Sequence, residues 1–234
     1  VNLGQFRVAI ANELGVSSNA AGTGTEQTAV DDAINTAVLR VLEDTHCYVK
    51  KTTFTGFDGS SLDYTMDSTI LEIIELQLTS TGTVYSLERL SVIDLLERRR
   101  VGASTGSPTA FYAVTGANLL MFYPAPGTGD TLSIYNVPIP TALSASADDP
   151  STASVAGVPA ILHEAIFLYA CSRIASGDDD QTSAQGQRYR DWYDKEIERY
   201  RGILRKRGGS RNARAVVNEK RRRSPNHTND VYPR

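Results

Sequence analysis

Ile70-Leu71-Glu72-Ile73-Ile74-Glu75-Leu76-Gln77-Leu78 decides the fold class, because its period differs from that of the chain on either side. One face carries Ile74, Leu76 and Leu78 and the other Glu75 and Gln77, the alternation of a half-buried strand. The two-residue period runs from Cys47 to about Ser80. Within it, Phe57-Asp58-Gly59-Ser60 sets an Asp-Gly pair between strand-like runs and predicts a hairpin turn. Further along, strands are expected over Phe111 to Val114, Leu119 to Tyr123 and Leu132 to Val137, separated by Thr115-Gly116 and Pro124-Ala125-Pro126-Gly127. Ser91 and Asp94 have capping-box spacing and predict a short helix from Val92 to about Arg99.

Outside this region the period is helical. Leu3, Phe6, Ile10 and Leu14 recur at helix spacing before Gly15, a natural C-cap, and residues 15 to 25 read as a small-residue loop. A second helix should start near Thr25, where Glu26, Asp31 and Asp32 suit its positive end, and stop near Thr45, with Val30, Ile34, Val38 and Val41 on one face. After a Ser/Ala/Asp/Pro loop from Ser144 to Gly157, Pro159 suits a first helical turn. Ile161, Leu162, Ala165, Ile166, Leu168 and Tyr169 make that helix apolar on most sides, so it should be central to the core. Gly177-Asp178-Asp179-Asp180 is expected to end it and cap the next, a helix of roughly 25 residues or ~37 Å. Tyr189, Trp192, Tyr193, Ile197, Tyr200 and Leu204 form its stripe, and Tyr189, Trp192, Tyr193, Ile197 and Tyr200 are expected in the bundle core or a subunit interface.

The reading is an α+β protein. Residues 1–46 and 158–205 supply the N- and C-terminal helices of one bundle, residues 47–157 an inserted, small, mainly antiparallel β domain, and residues 206–234 an extended basic tail. At 234 residues, 41% hydrophobic and 22% charged, the chain is long and apolar enough to fold without a disulfide framework. Cys47 and Cys171 stand far apart without CxxC spacing, which suits a reducing compartment. The first residues lack the pattern of a signal peptide, and no apolar run is long enough to span a bilayer.

Net charge −3 conceals a strong polarity. Residues 205 to 234 hold ten Lys/Arg against Glu219 and Asp230, a balance of +8, which leaves −11 on residues 1 to 204. The tail interleaves Arg207, Arg211, Arg214, Lys220, Arg221, Arg222 and Arg223 with Val216 and Val217, offering both charge and a small apolar patch. A peptide that folds into a protein groove gains from burying such a patch while its arginines meet carboxylates on the rim.

Catalytic patterns are missing from the sequence. Gly102-Ala103-Ser104-Thr105-Gly106 has the letters of a nucleophile elbow, but Arg98-Arg99-Arg100 precede it and Ser107-Pro108 follow, so it reads as a loop. Gly22-Thr23-Gly24 and Gly127-Thr128-Gly129 are turns and no P-loop. His46, His163 and His227 have no partner at ligand spacing, and His163 reads as a polar residue at the edge of a packed helix. Asp178, Asp179 and Asp180 lack the glycine and glutamate of a calcium loop. No cofactor or metal is expected, and the chemistry points to binding and assembly.

The segment Gly106-Ser107-Pro108-Thr109-Ala110-Phe111-Tyr112-Ala113-Val114-Thr115-Gly116, with Leu119-Leu120-Met121-Phe122-Tyr123-Pro124-Ala125-Pro126 and Thr131-Leu132-Ser133-Ile134-Tyr135 behind it, resembles the head-to-tail adaptor family of tailed bacteriophages. The resemblance continues in Val158-Pro159-Ala160-Ile161-Leu162-His163-Glu164-Ala165-Ile166 and the long aromatic helix, covering roughly residues 26 to 205. It implies a helical bundle with an inserted β domain, assembled as a ring, usually of about twelve copies, between portal and tail. Its implied partners are the portal protein, a tail or nozzle/stopper protein and further copies of itself, with genomic DNA passing through unbound and no membrane. The implied place is the head-tail junction of the virion, after assembly in the host cytoplasm. An acidic body agrees, since a channel that DNA slides through should not grip phosphates. Two other classes compete: a nucleic-acid-binding protein using the Arg-rich tail, and a virion-associated cell-wall hydrolase.

Overall fold

The structure is a computed structural model and describes residues 1–15, 25–102, 109–115, 119–176 and 183–207. It is mixed α+β, with five α-helices and two four-stranded sheets among the described residues.

α1 (Leu3–Leu14) starts at Asn2, whose side chain accepts from the Gln5 N–H while the Gln5 side chain accepts from the Asn2 N–H, and ends at a left-handed Gly15. α2 (Thr25–Thr45) packs on α1, where Arg7 clasps both Asp31 carboxylate oxygens at 2.6 Å. Pro159 precedes a 3₁₀ turn (Ala160–Leu162) that feeds α4 (His163–Ser176), and α5 (Ala184–Arg207) follows. α4 packs against α1, α2 and α5, so these helices share one apolar core of Leu3, Phe6, Ile10, Ile34, Val38, Leu162, Ile166, Tyr193 and their neighbours. The apolar surface spread around α4 requires this central position. Ile161 is the exception and faces solvent from the 3₁₀ turn.

The strands between these helices are β1 (Lys50–Phe54), β2 (Asp63–Thr65), β3 (Ile70–Ser80), β4 (Thr83–Ser86), β5 (Glu88–Arg89), β6 (Phe111–Thr115), β7 (Leu119–Tyr123) and β8 (Thr131–Pro138), with α3 (Val92–Val101) after β5. One sheet has the order β1-β8-β3-β4 and the other β2-β7-β6-β5, every pairing antiparallel except β5 with β6. Ile73, Leu76, Leu78, Leu132 and Ile134 of the first sheet meet Tyr112, Leu120 and Phe122 of the second in one core. Ala113 and Met121 turn the other way, against Leu95 of α3. The second sheet is therefore covered on both faces, which explains why Leu120, Met121 and Phe122 are buried consecutively.

Two sequence expectations fail here for definable reasons. In β3 the inward residue is Ile73, and Ile74 is exposed, because register shifts interrupt the pairing with β8 between Ile70 and Glu72 and again between Ile73 and Glu75. Each shift inserts a residue into β3 that breaks strict alternation. The Asp58-Gly59 segment closes no hairpin: β1 pairs with β8 and β2 with β7, so it carries the chain from one sheet to the other. Its turn is built by the Asp58 carboxylate, which accepts from the Ser60 and Ser61 N–H groups and the Tyr64 hydroxyl.

Sheet and helices are joined closely. Val137 of β8 belongs to the helical core, with Tyr48 and Leu71 packed against it. Asn35 of α2 reads the Leu143 backbone in both directions, donating to its carbonyl at 3.1 Å and accepting from its N–H at 2.8 Å. Gly157 has φ +67 and lies so close to the Tyr48 ring that a Cβ would stand 2.6 Å from it.

Candidate assembly surfaces

α5 is capped by Ser183, whose hydroxyl accepts from the Gly186 N–H and donates to the Ala175 carbonyl. The proposed cap at Asp178–Asp180 lies outside the described residues. Along α5, Tyr189, Tyr193, Ile197 and Tyr200 are buried, and two of the tyrosines carry their hydroxyls to carboxylates at the rim of the core. Tyr189 donates to Glu13 of α1 at 2.7 Å and Tyr193 donates to Asp44 of α2 at 2.6 Å. Arg40 Nε lies 2.9 Å from the same Asp44 carboxylate, and Arg201 reaches back to the Asp44 carbonyl at 2.6 Å. Burial pushes the Tyr193 hydroxyl well above its usual range and the Asp44 carboxylate adds to the shift, so Tyr193 stays a proton donor.

Trp192 departs from this stripe. It is 37% exposed, stands edge-on to Tyr189 and carries the Arg188 guanidinium 4.7 Å above its ring. Arg188, Lys195 and Arg199 stand next to it on the outward side of α5, with Asp191, Asp194 and Glu198 farther round on that same side, all exposed. Leu204, near the end of the helix, is also exposed.

α3 sits on β6 and β7, where Leu95 and Val92 pack with Ala113, Met121 and Phe111 and polar groups add to the hold. Ser91 caps it, accepting from the Asp94 N–H and donating its own hydroxyl proton to the Asp94 carboxylate. Arg99 turns inward to donate to the carbonyls of Leu62 (2.8 Å) and Phe122 (3.0 Å) and to pair with Asp63 at 2.7 Å. Arg98 lies 4.0 Å over the Phe111 ring. With Leu95 as its one fully buried side chain, α3 leaves Ile93, Leu96 and Val101 in solvent beside Arg100. The sequence reading located this helix but not its outward face. The signal was present in Ile93, Leu96 and Arg100 at i, i+3 and i+7, masked by the Arg98-Arg99-Arg100 run.

Of the tail residues, Arg207 ends α5, and Arg211, Arg214, Val216, Val217, Lys220, Arg221, Arg222 and Arg223 lie outside the described residues, as do Ser104, Asp178 to Asp180 and His227. His163 is buried rather than at a helix edge, and burial holds its imidazole below the usual range. His46 pairs with Glu72 at 2.8 Å. Cys171 is buried and its thiol is pushed up to about 12 by that burial. Among the described residues no group of three His, Cys, Asp or Glu is placed to hold a metal, and no helix is long and apolar enough to cross a membrane.

The model of the SU10 adaptor protein family matches residues 1–221. The chain belongs to that family. It is thus a structural protein of the bacteriophage head-tail connector class, as the Pro- and Tyr-punctuated strands suggested. No curated protein matches the adaptor. Among solved structures, a chain from the "Neck of empty GTA particle computed with C6 symmetry" is similar at 13% identity and a TM-score of 0.30, covering 82% of the adaptor and 91% of that chain.

Proposed function

We propose that the adaptor is one subunit of a ring, of about twelve copies, that docks beneath the portal, extends the DNA channel and offers the tail or nozzle/stopper protein its attachment surface. The family match over residues 1–221 carries this reading. In it, residues 1–46 and 158–205 form a bundle that bears residues 47–157 as an insertion. The tail, residues 206–234, clamps the portal, its valines buried and its arginines paired. The body's balance of −11, multiplied around a ring, keeps DNA sliding through without being gripped. The place of action is the head-tail junction of the virion, reached from the host cytoplasm, and no catalytic step or cofactor enters.

Alone, the subunit stays monomeric or weakly associated and assembles on the portal template, which sedimentation velocity with and without purified portal reads. Images of the mixture should add one ring to the portal, and a chain that never co-sediments with it sinks the reading. The second reading, DNA binding by the tail, draws on the nine Lys/Arg of residues 206–234. It predicts a salt-dependent shift of duplex DNA by the purified chain.

A further inference from the structure

We infer that copies of the adaptor join edge to edge, β1 of one copy adding to the free side of β4 of the next through backbone hydrogen bonds, so that the first sheet continues from subunit to subunit. This rests on the ring reading above and names the surfaces that would close the ring.

The sheet of order β1-β8-β3-β4 ends in two strands that, among the described residues, bond to the sheet on one side only. Strand alternation shows which of their backbone groups face out. Ser80 and Thr83 flank a two-residue turn, Thr81-Gly82, with φ 49 and 82, so they bond to each other, as do Leu78 and Tyr85. Val84 and Ser86 alternate with these and turn their N–H and C=O groups away from β3. Carried through the pairs Gln77 with Ser133 and Ile134 with Thr52, the same alternation commits Thr52 and Phe54 of β1 to β8. It leaves the N–H and C=O groups of Lys51 and Thr53 facing out.

The two edges match in direction, face and charge. With every neighbour antiparallel, β1 and β4 run in opposite directions, so β1 of one copy laid beside β4 of a copy in the same orientation makes one more antiparallel pair. Thr53 opposite Val84 and Lys51 opposite Ser86 then exchange four backbone hydrogen bonds. All four residues are exposed, Val84 by 58%. They also share one sheet face, since Thr53, Ser133, Gln77 and Ser86 lie in one cross-strand row, so the junction moves no side chain between core and solvent. In this register Lys51 arrives beside the neighbour's Glu75, whose Oε1 accepts from the Ser86 hydroxyl at 3.1 Å. Lys51 Nζ stands 5.8 Å from the Tyr135 ring centroid, at the limit of a cation–π contact, so little holds it back.

Two different edges of one chain make a heterologous contact, which adds copies head to tail and closes into a ring when the rotation allows. A pair of β1 strands, or of β4 strands, would stop at a dimer. The edges are short and one carries a lysine, the usual guards against indiscriminate strand addition. So short a strand pair is weak by itself, so copies stay apart in dilute solution and pair when a portal lines them up.

The test uses the full chain carrying Cys47→Ser, with Thr53→Cys and Val84→Cys together, concentrated in solution and bound to purified portal, under mild oxidation. Across the junction the two Cα atoms lie about 5.5 Å apart, within disulfide reach, whereas within one chain three strand spacings hold them about 14 Å apart. A reducible ladder of multimers is expected, while chains with Thr53→Cys alone or Val84→Cys alone stay monomeric. Adding Ser86→Pro, which removes an outward N–H that β3 does not use, should abolish the ladder with little change in melting temperature. Lys51→Glu, which leaves the backbone intact, should thin the ladder most at low salt. A ladder that survives both substitutions, dimers from either cysteine alone, or no products in either setting overturn the pairing. Portal-bound rings without the crosslink overturn the pairing and leave the portal reading intact, whereas a ladder from chains that never join the portal does the reverse.

Discussion

α5 and α3 both mix arginines with large apolar residues, and they dispose of them in opposite ways. α5 turns Tyr189, Tyr193, Ile197 and Tyr200 into the helical core and displays charge. α3 turns Arg99 inward as a polar clamp and displays Ile93, Leu96 and Val101. In α5 the apolar stripe builds the subunit, with Tyr189 and Tyr193 fastened to α1 and α2 through carboxylates. In α3 the apolar stripe contributes little to the fold and remains available to another molecule. A run of hydrophobic residues at helical spacing therefore says that something is buried there, and the polar anchors decide whether the subunit itself or a partner does the burying.

Four measurements sharpen or break this contrast. The largest effect is expected where α5 runs on into the basic tail: deleting residues 209–234 should abolish co-sedimentation with the portal and leave the circular dichroism of the body unchanged. Normal portal binding by the truncated chain would end the clamp idea. Next, Ile197→Ala should cost about 2–5 kcal/mol of stability in chemical denaturation, against a change within about 0.5 kcal/mol for Ile93→Ala. Equal losses would erase the distinction between the helices. Arg99→Met should cost about 1.5–3 kcal/mol by removing charged hydrogen bonds to Leu62, Phe122 and Asp63, and it should expose α3 to limited proteolysis. Undiminished stability would mean that Leu95 alone anchors the helix.

The smallest effect is a pH dependence. The Tyr193 hydroxyl is raised above its ordinary value of 10.0, so its contribution is fully present below about pH 10 and is lost as the pH climbs toward the folded value. Tyr193→Phe should be less stable than wild type near neutrality and should lack that part of the alkaline decline, at most roughly 1.4 kcal/mol per pH unit. Parallel curves for the two proteins above pH 10 would show that Tyr193 does not carry it.

Most helices and strands were legible because their signals are local. Gly15 after a helical repeat, Ser91 before one, and Pro124 after an apolar run each fix a boundary through backbone chemistry within a few residues. What the sequence hid depends on partners distant along the chain. Ile73 displaces Ile74 from the core only because β8 pairs with β3 through two bulges. Asp58-Gly59 fails as a hairpin because the strands flanking it find partners near residues 120 and 134. Trp192 shares the helical spacing of its buried neighbours, yet it stands at the rim of the stripe, and only the positions of α2 and α4 decide that it stays outside. The cap of α5 fell to Ser183 by a similar chance of geometry, since its hydroxyl also reaches the end of α4.

The ties between α5 and the first two helices join residues far apart along the chain: Tyr189 and Glu13 are 176 positions apart, and Tyr193 and Asp44 are 149. A ribosome delivers every strand of both sheets by Pro138, well before α5 exists to close the helical core. Closing a loop of that length costs more chain entropy than the shorter closure that pairs Leu76 of β3 with Ile134 of β8, 58 positions apart. The adaptor therefore matures from its middle outward, its two ends meeting last. Amides of β3 and β8 should gain protection from hydrogen exchange during refolding before those of α5, and the reverse order would contradict this sequence of events.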